Sequence, residues 1–195
     1  MSGRGPGRAT VAAVAVGAAA VLAAGPAEAT TKTRTYSSGP VNAVIPDAGF
    51  PATGAGGVGT LTDAIAVRRK GKVKDVDVSV RITHAYDRDL ELWLMSPTRT
   101  IVKLVLRRGG NGDDFGSGAA DCTGTPLVLD DQAPTPIAAG SAPFAGSFAP
   151  DQPLSALNGG HAKGAWTLFA LDTGPRDAGT LHCWGLTIAA RAKKK

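Results

Sequence analysis

The sequence predicts an all-β sandwich, and three observations carry that prediction. Apolar residues beyond position 29 fall in short runs that alternate with polar ones, the period of a strand with one wet face. Gly (26) and Pro (13) place a turn signal about every 8 to 15 residues, too often for long helices. No stretch after the first 29 residues sustains the i, i+3, i+4 spacing of an amphipathic helix. Together these indicate about eight short strands in two sheets.

The elements follow in order. Leu61 to Val67 reads as a short strand. Val76, Val78, Val80 and Ile82 alternate with Asp75, Asp77, Ser79 and Arg81, which makes a strand with an apolar inner face. Leu90, Leu92 and Leu94 alternate with Glu91, Trp93 and Met95. The turn Ser96-Pro97-Thr98-Arg99 then leads to a hairpin partner over Thr100 to Arg107. Leu127 to Leu129 is brief. Ala165 to Leu171 and Thr180 to Ala189 form a closing pair, each with a Trp. The Gly- and Asp-rich stretch from Gly109 to Thr125 reads as a surface loop.

The N-terminus carries the marks of a secretory signal. Arg4 and Arg8 precede an apolar run from Ala9 to Ala24, and Ala27-Glu28-Ala29 ends it in an A-x-A pattern, with cleavage expected after Ala29. The run is short and rich in Ala and Gly, which favours a signal over a transmembrane anchor of about 20 strongly apolar residues. The expected product is secreted and extracellular, with no membrane anchor left after removal. Residues 30–37 read as a polar, flexible lead-in, 38–190 as one domain, and 191–195 as a basic tail.

Charge and cysteines narrow the class. Signal removal takes the formal net charge from +5 to +4, and the surplus sits at Arg68 to Lys74, Arg107-Arg108 and the tail. Those clusters lack interleaved stacking aromatics, which argues against nucleic acid and leaves a loose attraction to an anionic cell wall. Cys122 and Cys183 are the only cysteines. In an oxidising compartment an isolated pair reads as one disulfide, since a metal site needs closer spacing and further Cys or His ligands.

Many short motifs in a fixed order resemble one family. Ile82-Thr83-His84 with Asp89-Leu90 is followed by Ser96-Pro97, Gly109-Gly110, Leu129-Asp130-Asp131 with Ala133, and Pro143, Gly146, Phe148 and Pro150. Then come Pro153-Leu154-Ser155, Asn158-Gly159, Gly164 with Trp166-Thr167-Leu168, Asp172, Gly179-Thr180-Leu181, and Trp184 with Leu186 and Ile188. The series resembles the P domain (P/Homo B domain) that follows the catalytic domain in kexin- and furin-like proprotein convertases. It departs at Arg88, where the family has Gly; at Gln132, where Glu is common; and at Cys183, where Ser is usual.

The resemblance implies a jelly-roll sandwich and a non-catalytic accessory role. The partner it implies is a subtilisin-like serine endopeptidase, or another secreted protein, stabilised or regulated in trans. It also implies calcium, for which Asp89, Asp130, Asp131 and Asp172 are the first-choice ligands, short oxygen-bearing side chains in loops or at strand ends. The same residues suit turn capping equally well. A hydrolytic triad of Ser155, His161 and Asp172 lacks the glycine-flanked elbow that exposes a nucleophile, and no subtilisin motif occurs in the chain, so the domain is not expected to be an enzyme. Trp166 and Trp184 read as core. Trp93, on the face opposite Leu90, Leu92 and Leu94, reads either as core or as a docking surface for a protein or a cell-wall polysaccharide.

Overall fold

The computed structural model describes Met1 and residues 30–49 and 57–192. The expected signal peptide, apart from Met1, lies outside the described residues. Ten strands form two sheets packed face to face: β1 (Thr31–Ser37), β2 (Ala43–Ile45), β3 (Gly59–Val67), β4 (Lys72–Thr83), β5 (Leu90–Met95), β6 (Ile101–Leu106), β7 (Leu127–Leu129), β8 (Gly146–Phe148), β9 (Gly164–Asp172) and β10 (Gly179–Arg191). Among the described residues the only helices are three single 3₁₀ turns: η1 (Asp87–Asp89), η2 (Ile137–Ala139) and η3 (Leu154–Leu157). The all-β jelly-roll reading holds.

The larger sheet runs β1-β10-β4-β7-β8, with β2 also paired to β10; the smaller runs β3-β9-β5-β6. All pairings are antiparallel except β7 with β8. Period-two alternation sends one face of each central strand inward. Val76, Val78, Val80 and Ile82 on β4 meet Leu90, Leu92 and Leu94 on β5 and Trp166, Leu168 and Ala170 on β9 within one core, all at most 1 % exposed. Each buried Trp also places its indole N–H. Trp166 Nε1 donates to the Ala162 carbonyl (2.8 Å) and Trp184 Nε1 to Asp63 Oδ2 (2.6 Å), so neither carries an unmet donor into the core.

Two boundary expectations are corrected. The lead-in is strand β1, paired over seven residues from Thr31↔Arg191 to Ser37↔Gly185. It is mostly exposed, so hydrophobic patterning gave no signal. What orders it is the long free edge of β10, which offers a ladder of backbone hydrogen bonds, and Thr is well suited to a strand. The basic tail likewise begins one residue late, since Arg191 closes β10. Residues 193–195 lie outside the described residues.

The disulfide joins Cys122 to Cys183, with Cα atoms 5.8 Å apart. Cys183 pairs with Arg81 across β10 and β4, so the bond pins the 109–125 loop over the outer face of the larger sheet. Arg81 is only 3 % exposed because this loop covers it. Its guanidinium donates to the Ala119 and Asp121 carbonyls.

Candidate functional site

The residues richest in chemistry gather where β4 gives way to β5. The chain leaves β4 at Thr83, passes His84, makes the η1 turn and enters β5 at Leu90, opposite Asp172 of β9. The first part of the long loop is strapped across this crossing. Asp87 N–H donates to Gly112 O (2.9 Å), Arg88 N–H to Gly110 O (3.1 Å), Asp114 N–H to His84 O (3.2 Å) and Phe115 N–H to Ile82 O (3.0 Å).

His84 is fixed from both ring nitrogens. Nδ1 accepts the Tyr86 N–H (3.1 Å), which leaves Nε2 to carry the proton toward Asp172 Oδ2 (3.1 Å), both side chains being fully buried. Asp172 Oδ1 accepts the Gly174 N–H (3.1 Å). Burial pushes the Asp172 carboxyl above its ordinary range, while the His84 and Gly174 hydrogen bonds pull it back. The pair ties one strand end of each sheet together. Sequence reasoning missed it because the partners lie 88 residues apart.

Asp87 is treated differently. It is 0 % exposed, and neither carboxylate oxygen has a hydrogen-bond partner. Burial first, and then the charge of Asp114, push its pKa up to about 8; the Asp114 N–H nearby lowers it somewhat but donates to His84 O, and Asp113 raises it further. Arg88, beside it, stands in η1 and is absent from the positive-φ residues. The Gly expected there is therefore not required for its backbone freedom, which is why the departure from the family pattern is tolerated.

The four aspartates expected to bind calcium do not meet in one site, and among the described residues no three His, Cys, Asp or Glu side chains form a metal-holding group. Asp131 spends both oxygens on η3, accepting Leu154 N–H and Ser155 N–H at 2.7 Å each. Asp130 Oδ1 caps its own turn through Gln132 N–H (2.7 Å). Asp172 is committed to His84 and Gly174, as above. Asp89 stays at this crossing with its carboxylate packed against Gly174, and its backbone carbonyl accepts both the N–H and the Oγ1 of Thr173 (2.8 Å each). Asp131 and Asp172 each give both oxygens to hydrogen bonds and Asp130 gives one, the pattern of turn capping. As a set, the four do not fit the ion.

The hydrolytic triad is not assembled. Asp172 is held by His84, whereas His161 bridges to Lys72 beside a basic cleft that includes Lys70 and Lys163. Ser155 is exposed in η3, bonded through its amide to Asp131.

Trp93 lies on the solvent side of the smaller sheet, half-buried, so it is not core. Its Nε1 donates to Glu91 Oε2 (3.1 Å), and the Lys103 ammonium stands 4.9 Å from the ring centroid. Across the register it sits beside Phe169 of β9, which faces Thr62 of β3; Met95 pairs with Thr167 and Glu91 with Leu171. Trp93, Met95, Phe169 and Leu171 are all half-buried, giving the sheet a partly apolar outer face. Sequence alternation placed Trp93 and Met95 on the face opposite Leu90, Leu92 and Leu94. It could not decide whether a second layer covered them.

Comparison with known proteins now bears on this arrangement. The model of the proprotein convertase P-domain family matches residues 73–188. Among solved structures, a complex of Aeromonas sobria serine protease with its chaperone is similar at 15% identity and a TM-score of 0.47, covering 83% of this chain and 27% of that one. The serine protease of Aeromonas sobria in a second structure gives 15% identity and 0.47, covering 88% and 28%. This chain thus spans little more than a quarter of those proteins. No curated protein matches. The family match takes in β4 through most of β10, and with them the His84–Asp172 pair, the Asp87 crossing and the Trp93 face: the chain belongs to the proprotein convertase P-domain family.

Proposed function

We propose that this is a secreted, non-catalytic accessory domain that docks in trans on a subtilisin-type serine endopeptidase and stabilises or regulates it. The family match over residues 73–188 is the observation that carries this reading. The outer face of the smaller sheet supplies a docking surface of suitable character. Trp93, Met95, Phe169 and Leu171 offer apolar contact, and Glu91, Lys103 and Thr62 provide a polar surround. The 195 residues hold no subtilisin motif, so the protease served lies outside them. The signal-like segment ending at Ala29 supports an extracellular location.

A second reading rests on Trp93 itself. A half-buried indole flanked by a carboxylate and an ammonium also suits a sugar ring, which would make the face a cell-wall polysaccharide module.

One experiment separates the two. A tagged copy is recovered from the producing organism's culture fluid, and its companions are treated with a covalent serine-hydrolase label. Retention of a labelled protease, lost in Trp93→Ala at unchanged melting temperature, supports the accessory role. Retention of polysaccharide with no labelled protein, lost in the same variant, supports the second reading and overturns the first.

A further inference from the structure

We propose that a basic cleft at one end of the sandwich binds the phosphate group of a phosphorylated sugar or polyol. The cleft belongs neither to the Trp93 face nor to the β4–β5 crossing, and it stands under either reading of that face.

Three segments build it. The turn from β3 to β4 brings Lys70 and Lys72, the turn from β5 to β6 brings Pro97 and Thr98, and the loop before β9 brings His161 and Lys163. Backbone contacts fix the walls. Val73 N–H donates to Gly160 O and Ala162 N–H to Gly71 O (3.0 Å each), which sets Lys72 opposite His161 across an antiparallel bridge. Trp166 Nε1 holds the Ala162 carbonyl from the core (2.8 Å). Gly71 has φ +145, and a Cβ there would stand 2.9 Å from the Arg191 carbonyl oxygen. Gly164 has φ +140, and its Cβ would stand 2.6 Å from Pro97 Cβ. Only glycine lets these segments come so close, so the cationic side chains ride on a preformed frame.

The charge in the cleft is one-sided. Among the described residues no carboxylate lines it, and the ion pairs His84–Asp172 and Arg108–Asp151 lie elsewhere. Three lysines and a histidine therefore border one space with no acid to balance them. Arg81 and Arg107, by contrast, spend their guanidinium groups on backbone carbonyls. Like charges held together repel, and an anion placed among them turns that repulsion into attraction.

The lining selects the anion. Among the described residues no arginine enters it, and a planar carboxylate is best met by the flat fork of a guanidinium. Lysines act as separate point charges, which suits the tetrahedral oxygens of a phosphate. The space is about 660 Å³, the size of pockets that take a small organic ligand and far more than one inorganic ion fills. Pro97 and the lysine stems offer carbon surface to the rest of the molecule, and the Thr98 hydroxyl offers a polar contact. Among the described residues no Trp, Tyr or Phe lines the cleft, so a nucleobase has no such ring to stack on. A sugar or polyol is the carrier these walls fit.

The test follows the backbone amide NMR signals of the full chain at low salt as glucose 6-phosphate, a glycerol phosphate polymer or glucuronate is added. The phosphate probes should give saturable shifts centred on Gly71, Thr98, His161 and Lys163, and glucuronate should bind at least about tenfold more weakly. A response to glucose 6-phosphate identifies a free sugar phosphate as the source, and a response to the polymer alone identifies a phosphate diester chain; either upholds the site. Lys70 and Lys163 are exposed. Lys70→Gln with Lys163→Gln should weaken binding at least about tenfold at unchanged melting temperature, through two lost charge-assisted contacts. Should that pair fail to fold, Lys163→Gln alone decides. Replacing Lys193, Lys194 and Lys195 together by Ala should leave the affinity unchanged. No saturable shift with either phosphate probe overturns the site, as do glucuronate binding of equal strength, an affinity unchanged in the deciding lysine variant, or one lost with the three tail lysines. A response only to phosphatidylglycerol vesicles also overturns it, in favour of a membrane surface.

Discussion

Asp131 and Asp87 share a side chain, a turn setting and acidic neighbours, and the protein uses them in opposite ways. Asp131 follows β7 and gives each oxygen an amide, those of Leu154 and Ser155, so it closes η3 against the strand. Asp87 sits in η1 with both oxygens bare and a glycine loop folded over it. A carboxylate that accepts charge-assisted N–H bonds strengthens the fold by itself. One buried without such bonds holds a place for a proton or a cation at the fold's expense. Residue type does not separate the two cases; the count of N–H donors within reach does.

The largest effect that bears on this contrast comes from cutting the loop free. Residues 109–114 close over Asp87, while Cys122 anchors the far end of the same loop to β10. Replacing both cysteines by Ser should cost about 4 kcal/mol for a bond spanning 61 residues, or a fall of about 10 °C in melting temperature. The Asp87 end has its own backbone bonds to η1 and β4, so its amides should stay protected from hydrogen exchange in that variant. If that protection vanishes with the disulfide, the two ends of the loop are one cooperative unit and the contrast with Asp131 depends on the tether.

Asp131→Ala comes next. It strands two amides at the start of η3, and Leu154 beneath them is 1 % exposed. A loss of about 2 kcal/mol is expected from two charge-assisted bonds at a partly exposed turn, measured by denaturant midpoint at unchanged m-value. A cost below about half a kcal/mol would mean that water replaces the carboxylate freely, and that Asp131 is no more committed than Asp87.

How much of this was legible beforehand follows from what each element needs. The core strands were readable because Val76 to Ile82 and Leu90 to Leu94 must alternate to bury one face. The disulfide was readable because two lone cysteines leave one pairing. β1 was not, because an edge strand paired through its backbone needs no apolar pattern. Nor was the site. Asp131 meets η3 across 23 residues and His84 meets Asp172 across 88, and such distances are set by the packed sheets. Sequence chose Asp89, Asp130, Asp131 and Asp172 and passed over Asp87 because these side chains look alike until their donors are counted.

Asp77 gives the smallest effect and the sharpest check on that counting rule. It too has one unpartnered oxygen, but it lies half-buried on the outer face of β4, among Asp75, Asp130 and Asp131. Burial first, then those carboxylates, raise its pKa from 3.8 to about 6. The folded chain therefore holds this proton more tightly than the unfolded one. The stability so contributed is complete below pH about 4 and is lost as pH rises through about 6. Discounted for solvent screening at a half-buried site, the loss is about 1 kcal/mol. Asp77→Asn should remove that slope, so the two chains converge in melting temperature at low pH and the variant is the more stable near neutrality. If Asp77→Asn instead leaves the slope unchanged, the proton is held elsewhere in the fold and an unpartnered oxygen at partial burial carries no such cost.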